Sequence, residues 1–204
     1  IIVNWNAKTY LKGCIESILS QTFTDYEIIL VDNASSDDSV TFVKDNFPQV
    51  RIITNNENVG FAQGNNIGIK NSTGKIIVLF NPDAIADKEW LSILVNVIQS
   101  SEKIAAVTGK MYYLGDKYGK DAIFCTWSKI NPYSASPYNF HDDEPVSKVD
   151  YLSGAAMVIK RDVLDKIGLM DSNYFLYFEE TDLCARMIRG GYDLMYVPNA
   201  VVWH

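Results

Sequence analysis

Apolar residues in this chain fall into short unbroken runs separated by amphipathic stretches. "IIVNW" (Ile1 to Trp5), "EIILVDN" (Glu27 to Asn33), "VRIITN" (Val50 to Asn55) and "KIIVLF" (Lys75 to Phe80) have strand length, and strands buried on both faces read this way. Between them, Tyr10, Cys14, Ile15, Ile18 and Leu19 recur at helical spacing, and residues 60–72 repeat the pattern. "DKEWLSILVNVIQSS" does so again behind acidic residues that favour a helix start. Ser35 and Ser36 are expected to cap one more helix. Parallel strands need crossover connections, so the alternation predicts an α/β domain with a mostly parallel sheet covered by helices.

In such sheets the ligand sits beyond the carboxyl ends of the strands. Those ends read Asn4, Asp32-Asn33, Asn55-Asn56 and Asn81-Pro82-Asp83. Any one of them is explicable as a strand terminator or helix cap. All four together predict a ring of oxygen-bearing side chains on one edge. Pro82 fixes the backbone so that Asp83 projects from a rigid position. One carboxylate there suffices for Mg²⁺ or Mn²⁺, which keep waters and take phosphate oxygens for the remaining positions.

Past Gly109 the sequence turns aromatic and loop-rich, with Pro132, Pro137 and Pro145 interrupting any long element. Residues 149–168 return to strand, small-residue turn, strand and helix. A further helix stopped by Gly190-Gly191 and a closing strand complete the chain.

With 204 residues, 48% of them hydrophobic and 21% charged, the chain suits one globular domain. A net charge of −7 argues against a nucleic-acid partner, so an anionic ligand must be held locally. Cys14, Cys125 and Cys184 lack metal-ligand spacing and read as reduced thiols of a cytosolic compartment. No apolar run approaches the roughly 20 residues of a membrane span. Ile1 already lies inside a strand-like run, so the chain reads as a piece of something longer whose flanks could carry an anchor.

Several separated segments, in order, carry a resemblance: residues 1–40, "NNENVGFAQGNNIGI", "LFNPDA", "YLSGAAMVIKRDVLDKIGLMD" and "FEETDLCARMIRGGYDLMYVPNAVVWH". Together they resemble the family 2 inverting glycosyltransferases of the GT-A fold, and among these the rhamnosyltransferase-like members. The resemblance covers all but about residues 112–148. It implies a Rossmann-like nucleotide-sugar-binding half (residues 1–110) and a smaller acceptor-side and catalytic half (residues 111–204). It also implies a dTDP- or UDP-sugar donor, a glycan, lipid-linked or other hydroxyl acceptor, Mg²⁺ or Mn²⁺, and work in cell-surface polysaccharide or glycan synthesis. The expected place is the cytoplasm, with peripheral association at the inner face of a membrane left open.

The resemblance also implies roles for individual residues. Asp32 corresponds to the carboxylate that recognises the base, flanked by Asn4 and Asn33, with Asn58, Gly60 and Asn65 lining the nucleoside pocket. Asn81 and Asp83 hold the ends of an Asp-X-Asp motif, Asn81 replacing its first aspartate and Asp83 being the metal ligand. His204 stands near the metal or diphosphate, and Gly154 lies in the turn approached by a sugar. Glu180 occupies the general-base position, where the family has aspartate, with Glu179 and Asp182 as second choices. Arg186 is assigned to the diphosphate.

Other readings of the same residues stay open. Acidic residues favour a helix start, and Asp182 with Arg186 is also an i,i+4 pair. Asn58 and Asn65 also suit a turn and helix, while Cys184 and Met187 suit a core. Tyr113, Trp127, Tyr133 and Tyr138 would either stack on a sugar or cover the sheet. A catalytically inactive nucleotide- or sugar-binding module of the same fold is the alternative function.

Overall fold

The apolar runs become strands that end where the polar residues begin. A computed structural model describes residues 1–115, 117, 122–125, 128–130, 137–139 and 145–204. Strands and helices alternate through the first part: β1 (Ile2–Asn4), α1 (Lys8–Leu19), β2 (Ile29–Asp32), α2 (Ser39–Asn46), β3 (Arg51–Thr54), α3 (Gly60–Lys70) and β4 (Ile76–Phe80). A short β5 (Ile85–Ala86), α4 (Trp90–Gln99) and a long β6 (Ile104–Tyr112) follow. Then come β7 (Ile123–Cys125), β8 (Ser128–Ile130), β9 (Pro137–Asn139), β10 (Ser147–Val149) and β11 (Ala156–Lys160). The chain closes with α5 (Arg161–Ile167), α6 (Glu179–Arg189) and β12 (Asp193–Trp203).

β1, β2 and β3 are parallel, with Asn4 beside Asp32 and Asp32 beside Thr54. β4 runs along the other side of β1, where Phe80 N donates to Ile1 O at 3.0 Å. The predicted row of strand ends on one edge therefore forms. Beyond β4 the expected parallel order gives way to a mixed one: β11 is antiparallel to both β4 and β6, whereas β12 runs parallel to β6. The cause is local. Asn81 N donates to Ala155 O at 2.8 Å, so β11 enters the sheet where β4 leaves it and must run back.

β6 is a central strand that the hydrophobic pattern did not announce. Its small and polar residues, Ala105, Ala106, Thr108, Gly109 and Lys110, break up any apolar run, yet all are buried. A Cβ on Gly109 would lie 1.9 Å from Ala200 O, in the stretch where β12 shifts register between Val197 and Val201. Close backbone approach explains the glycine.

The capping expectation for α2 is corrected. Ser35 Oγ accepts from Asn6 N at 2.9 Å and Ser36 N donates to Asn6 Oδ1 at 2.8 Å, so both serines fasten the β1–α1 turn. α2 starts later, with Asp37 Oδ1 accepting from Ser39 N at 3.1 Å.

The sheet separates two cores. Ile2, Leu30, Phe80, Trp90, Leu94 and Val107 pack on the α1 and α4 side, and Ile77, Leu79, Met157, Leu164, Leu183 and Met187 on the α3, α5 and α6 side. Each fully buried side chain of this kind contributes about 1.5–3 kcal/mol, which fixes the strand ends of β4 between two packed layers. Cys14, Cys125 and Cys184 are buried. Among the described residues no helix is long and apolar enough to cross a membrane.

Candidate active site

At the ends of β1, β2 and β3 the polar side chains bond to one another. Asn4 Nδ2 donates to Asp32 Oδ1 at 2.7 Å and to Ser35 Oγ at 3.0 Å, while Asp32 Oδ2 accepts from Ser35 N at 2.9 Å. Asp32 is 2% exposed with both oxygens engaged. It therefore braces the strand ends, while each oxygen keeps a further lone pair with which to accept a donor. Asn33 Oδ1 accepts from Asn55 Nδ2 at 2.8 Å, and its Nδ2 lies 3.1 Å from both Asn58 Oδ1 and Gly60 O. Asn58 Oδ1 also accepts from Gly60 N at 3.0 Å. Trp5, one residue beyond β1, is 57% exposed beside this network.

The end of β4 is arranged differently. His204 Nε2 lies 3.0 Å from Asn81 Nδ2 and 3.3 Å from Asp83 Oδ1, and Asn81 Oδ1 is buried without a partner. The His204 hydrogen bond holds the Asp83 carboxyl below its ordinary value, against an opposing effect of burial. With the Asn81 amide in this orientation no proton arrangement satisfies all three groups. If Nε2 carries a proton, Asp83 accepts it and the Asn81 amide N–H faces a donor; if it carries none, its lone pair faces the carboxylate. Turning the amide over lets Oδ1 accept from a protonated Nε2. The Asp83 carboxylate and a deprotonated Nε2 are ligand types that Mg²⁺ or Mn²⁺ accepts once the Asn81 N–H turns away from the single Nε2 lone pair, and these ions need few protein ligands when phosphate oxygens supply the rest. The residues present fit that ion. Among the described residues no group of three or more His, Cys, Asp or Glu gathers to hold a metal, at this corner or elsewhere.

Facing this corner is the start of α6. Asn81, His204, Tyr151, Gly154, Glu179 and Glu180 share the wall of one cavity of ≈ 240 Å³ with Phe61, Phe124, Leu176 and Tyr177. Tyr151 Oη donates to Glu180 Oε1 at 2.8 Å, while Glu180 Oε2 and Glu179 Oε2 are buried and unpartnered. Burial first, and the adjacent Glu180 charge second, raise the Glu179 carboxyl well above the usual carboxylate range. The backbone just before the pair is strained: Tyr177 and Phe178 have φ of 70° and 71°. Asn66 keeps that loop in place, donating to Met170 O at 2.7 Å and accepting from Met170 N at 3.1 Å, while Phe61 N donates to Phe175 O at 2.8 Å.

Four expected site residues lie elsewhere or do other work. Arg186 does not reach the diphosphate corner: its Nε bonds Asp182 at 2.7 Å and its guanidinium donates to the carbonyls of Ile167, Gly168 and Leu169. Asp182 is thereby committed to Arg186 and is no substitute base. Asn65 is 1% exposed and its Nδ2 donates to Phe61 O, within α3. Gly60 has a φ of 82°, and a Cβ there would lie 2.4 Å from Phe175 O, so it admits the loop before α6 rather than lining an open pocket. Gly154 keeps its place in the cavity wall, with Phe61 Cε1 3.2 Å from a notional Cβ. Tyr113 packs edge-on against Phe124, whose ring in turn meets His204. Trp127, Tyr133 and the side chain of Tyr138 lie outside the described residues. Tyr151 and Asn66 went unnoticed because their partners are 29 and 104 residues away.

A wider groove of ≈ 690 Å³ sits at the opposite edge of the sheet, by Lys75, Lys103, Lys160 and Arg161. Arg161 there bonds Gly74 O, Ile69 O and Ser72, closing the turn after α3.

A family model described as Glycosyl transferase family 2 matches residues 1–168. The chain belongs to that family. This family 2 chain is 23% identical over 230 residues to N-acetylglucosaminyl-diphospho-decaprenol L-rhamnosyltransferase of Mycobacterium tuberculosis, covering 100% of the chain and 74% of the relative. It superposes with a TM-score of 0.74 and 16% identity on the mannosyltransferase PcManGT of Pyrobaculum calidifontis in complex with GDP-Man and Mn²⁺. The TM-score to GalNAc-T7 with UDP, GalNAc and Mn²⁺ is 0.82, at 18% identity. Both superpositions cover 100% of this chain, which spans 55% and 42% of those two proteins. The GT-A fold is thus the one adopted. Helix α6 lies beyond the residues matched by the family model, so Glu180 stands on its geometry.

Proposed function

We propose that this chain is the catalytic domain of an inverting glycosyltransferase that moves a sugar from a nucleoside diphosphate donor to an acceptor hydroxyl. One observation carries the reading: the cavity that joins Asn81 and His204 to Glu180, whose Oε2 is buried without a partner. The donor binds across the strand ends, its nucleoside over Asn4, Asn33 and Asn58 and its diphosphate toward Asn81, Asp83 and His204. Asp83 and His204 hold Mg²⁺ or Mn²⁺, which when bound neutralises the charge growing on the departing diphosphate. Glu180 accepts the proton of the acceptor hydroxyl as its oxygen forms a bond to the anomeric carbon from the face opposite the leaving group. The bond from that carbon to the diphosphate oxygen breaks, and its electron pair leaves with the diphosphate. Glu179, its carboxyl raised to about 7 by burial and by the Glu180 charge, ionises less readily than an ordinary carboxyl, which limits the negative charge beside the base.

In this reading residues 1–110 bind the nucleotide sugar, and residues 111–204 supply the acceptor side and the base. The donor carries dTDP or UDP. A relative named for L-rhamnosyl transfer to N-acetylglucosaminyl-diphospho-decaprenol supports hexosyl or rhamnosyl transfer in glycan synthesis, and structural neighbours holding Mn²⁺ support the metal.

The test is release of nucleoside diphosphate from a panel of UDP-, dTDP- and GDP-sugars with Mn²⁺, water serving as acceptor. Release by the wild type and its loss in Glu180→Gln is expected. A folded wild type that binds these donors and never cleaves them would instead be an inactive binding module.

A further inference from the structure

Glu180 differs from a shorter aspartate by one rotatable bond, and a base must be held to within a fraction of an ångström to act. Its Oε1 accepts from Tyr151 Oη at 2.8 Å, whereas Oε2 is buried with no partner, and Glu180 is part of the cavity wall. Tyr151 itself is 8% exposed and belongs to the core cluster of Leu152, Leu183, Cys184 and Met187. The next residue, Leu152, donates its backbone N–H to Cys184 Sγ at 3.4 Å, one turn along α6 from Glu180. The hydroxyl and the base are thus fixed by the same packed elements. Burial, followed by the Glu180 charge, pushes the phenol far above its ordinary range, so Tyr151 keeps its proton and remains a donor.

We propose that Tyr151 is the positioning residue of the base: by holding Oε1 as a hydrogen-bond acceptor, it leaves Oε2 as the oxygen that takes the acceptor proton. The inference rests on the transferase reading above. In the step, the hydroxyl proton passes to Oε2, the oxygen lone pair forms the bond to the anomeric carbon, and the electron pair of the broken bond leaves on the diphosphate. Tyr151 neither gains nor loses a proton. Its contribution is to remove the rotational freedom that the extra methylene of a glutamate introduces, since displacement of a reacting group by about 1 Å costs on the order of 100-fold in rate.

Tyr151→Phe keeps the ring and its packing and deletes only the donor. Using the nucleoside diphosphate release assay, kcat is expected to fall about 10- to 100-fold with donor KM unchanged. The acid limb of the rate–pH profile should move up, because one hydrogen bond to the ionised carboxylate is gone. In a Glu180→Gln background the same change should cost nothing further. Wild-type kcat in Tyr151→Phe overturns the positioning role, and so does a fall in kcat with an unmoved acid limb, which marks a merely structural residue. A wild type that releases no nucleoside diphosphate from any donor overturns the transferase reading and the positioning role with it. Release by the wild type with no effect in Tyr151→Phe overturns the positioning role alone.

Discussion

The ends of β1 to β3 and the cavity beside α6 both collect oxygen-bearing side chains, and they treat them in opposite ways. At the strand ends Asn4, Asp32, Asn33, Asn55 and Asn58 answer one another with short hydrogen bonds. In the cavity Asn81 Oδ1, Glu179 Oε2 and Glu180 Oε2 are buried with no protein partner. Leaving a buried polar atom unpaired costs about 1–3 kcal/mol, so a chain tolerates several together where a ligand completes them. The closed network is a rigid floor, and the proposed reaction belongs to the open one. One atom crosses the division, for Asn4 Oδ1 is also unpartnered, and it marks where a donor would touch the floor.

Four substitutions separate the two regions, and the largest effect belongs to the open one. Glu180→Gln should lower nucleoside diphosphate release by about 100- to 10,000-fold while leaving diphosphate binding intact, measured by kinetics and calorimetry on one preparation. Gly60→Ala should lose about 3 kcal/mol in denaturant unfolding, because its φ of 82° and the Phe175 carbonyl 2.4 Å from a new Cβ leave no relaxed arrangement. Arg186→Ala should lose about 2 kcal/mol of stability with diphosphate affinity unchanged; weakened affinity would return Arg186 to the site. The smallest effect concerns pH. Glu179 has a raised value in the folded chain, so the stability it contributes is full below its ordinary 4.5 and is lost as pH rises through the raised value. Glu179→Gln removes that loss, and its advantage over the wild type should grow to about 1 kcal/mol between mildly acidic and mildly alkaline pH.

What was legible in the sequence was local. The runs that became β1 to β4 and the periodicity of α1, α3 and α4 each lie within a dozen residues, and the Asn and Asp strand endings could be read in place. β6 was not legible because its burial comes from neighbours on both sides rather than from apolar residues of its own. The antiparallel entry of β11 depends on Asn81 meeting Ala155, 74 positions apart in numbering (155 − 81). The i,i+4 pairing of Asp182 with Arg186 was visible, but the carbonyls of Ile167 to Leu169 that claim the guanidinium were not. The Tyr151 contact to Glu180 escaped for the same reason, since no periodicity links a turn before β11 to the first turn of α6.

The central claim is that the end of β4 and the last residue of β12's extension hold a metal-bound diphosphate opposite Glu180. Its most direct test is calorimetric titration of the wild type and Asp83→Ala with UDP, dTDP and GDP, each with and without Mn²⁺. The account predicts binding of a pyrimidine diphosphate by the wild type that requires Mn²⁺ and disappears in Asp83→Ala. Equal binding by both proteins, or no binding of any diphosphate to a folded wild type, would contradict it.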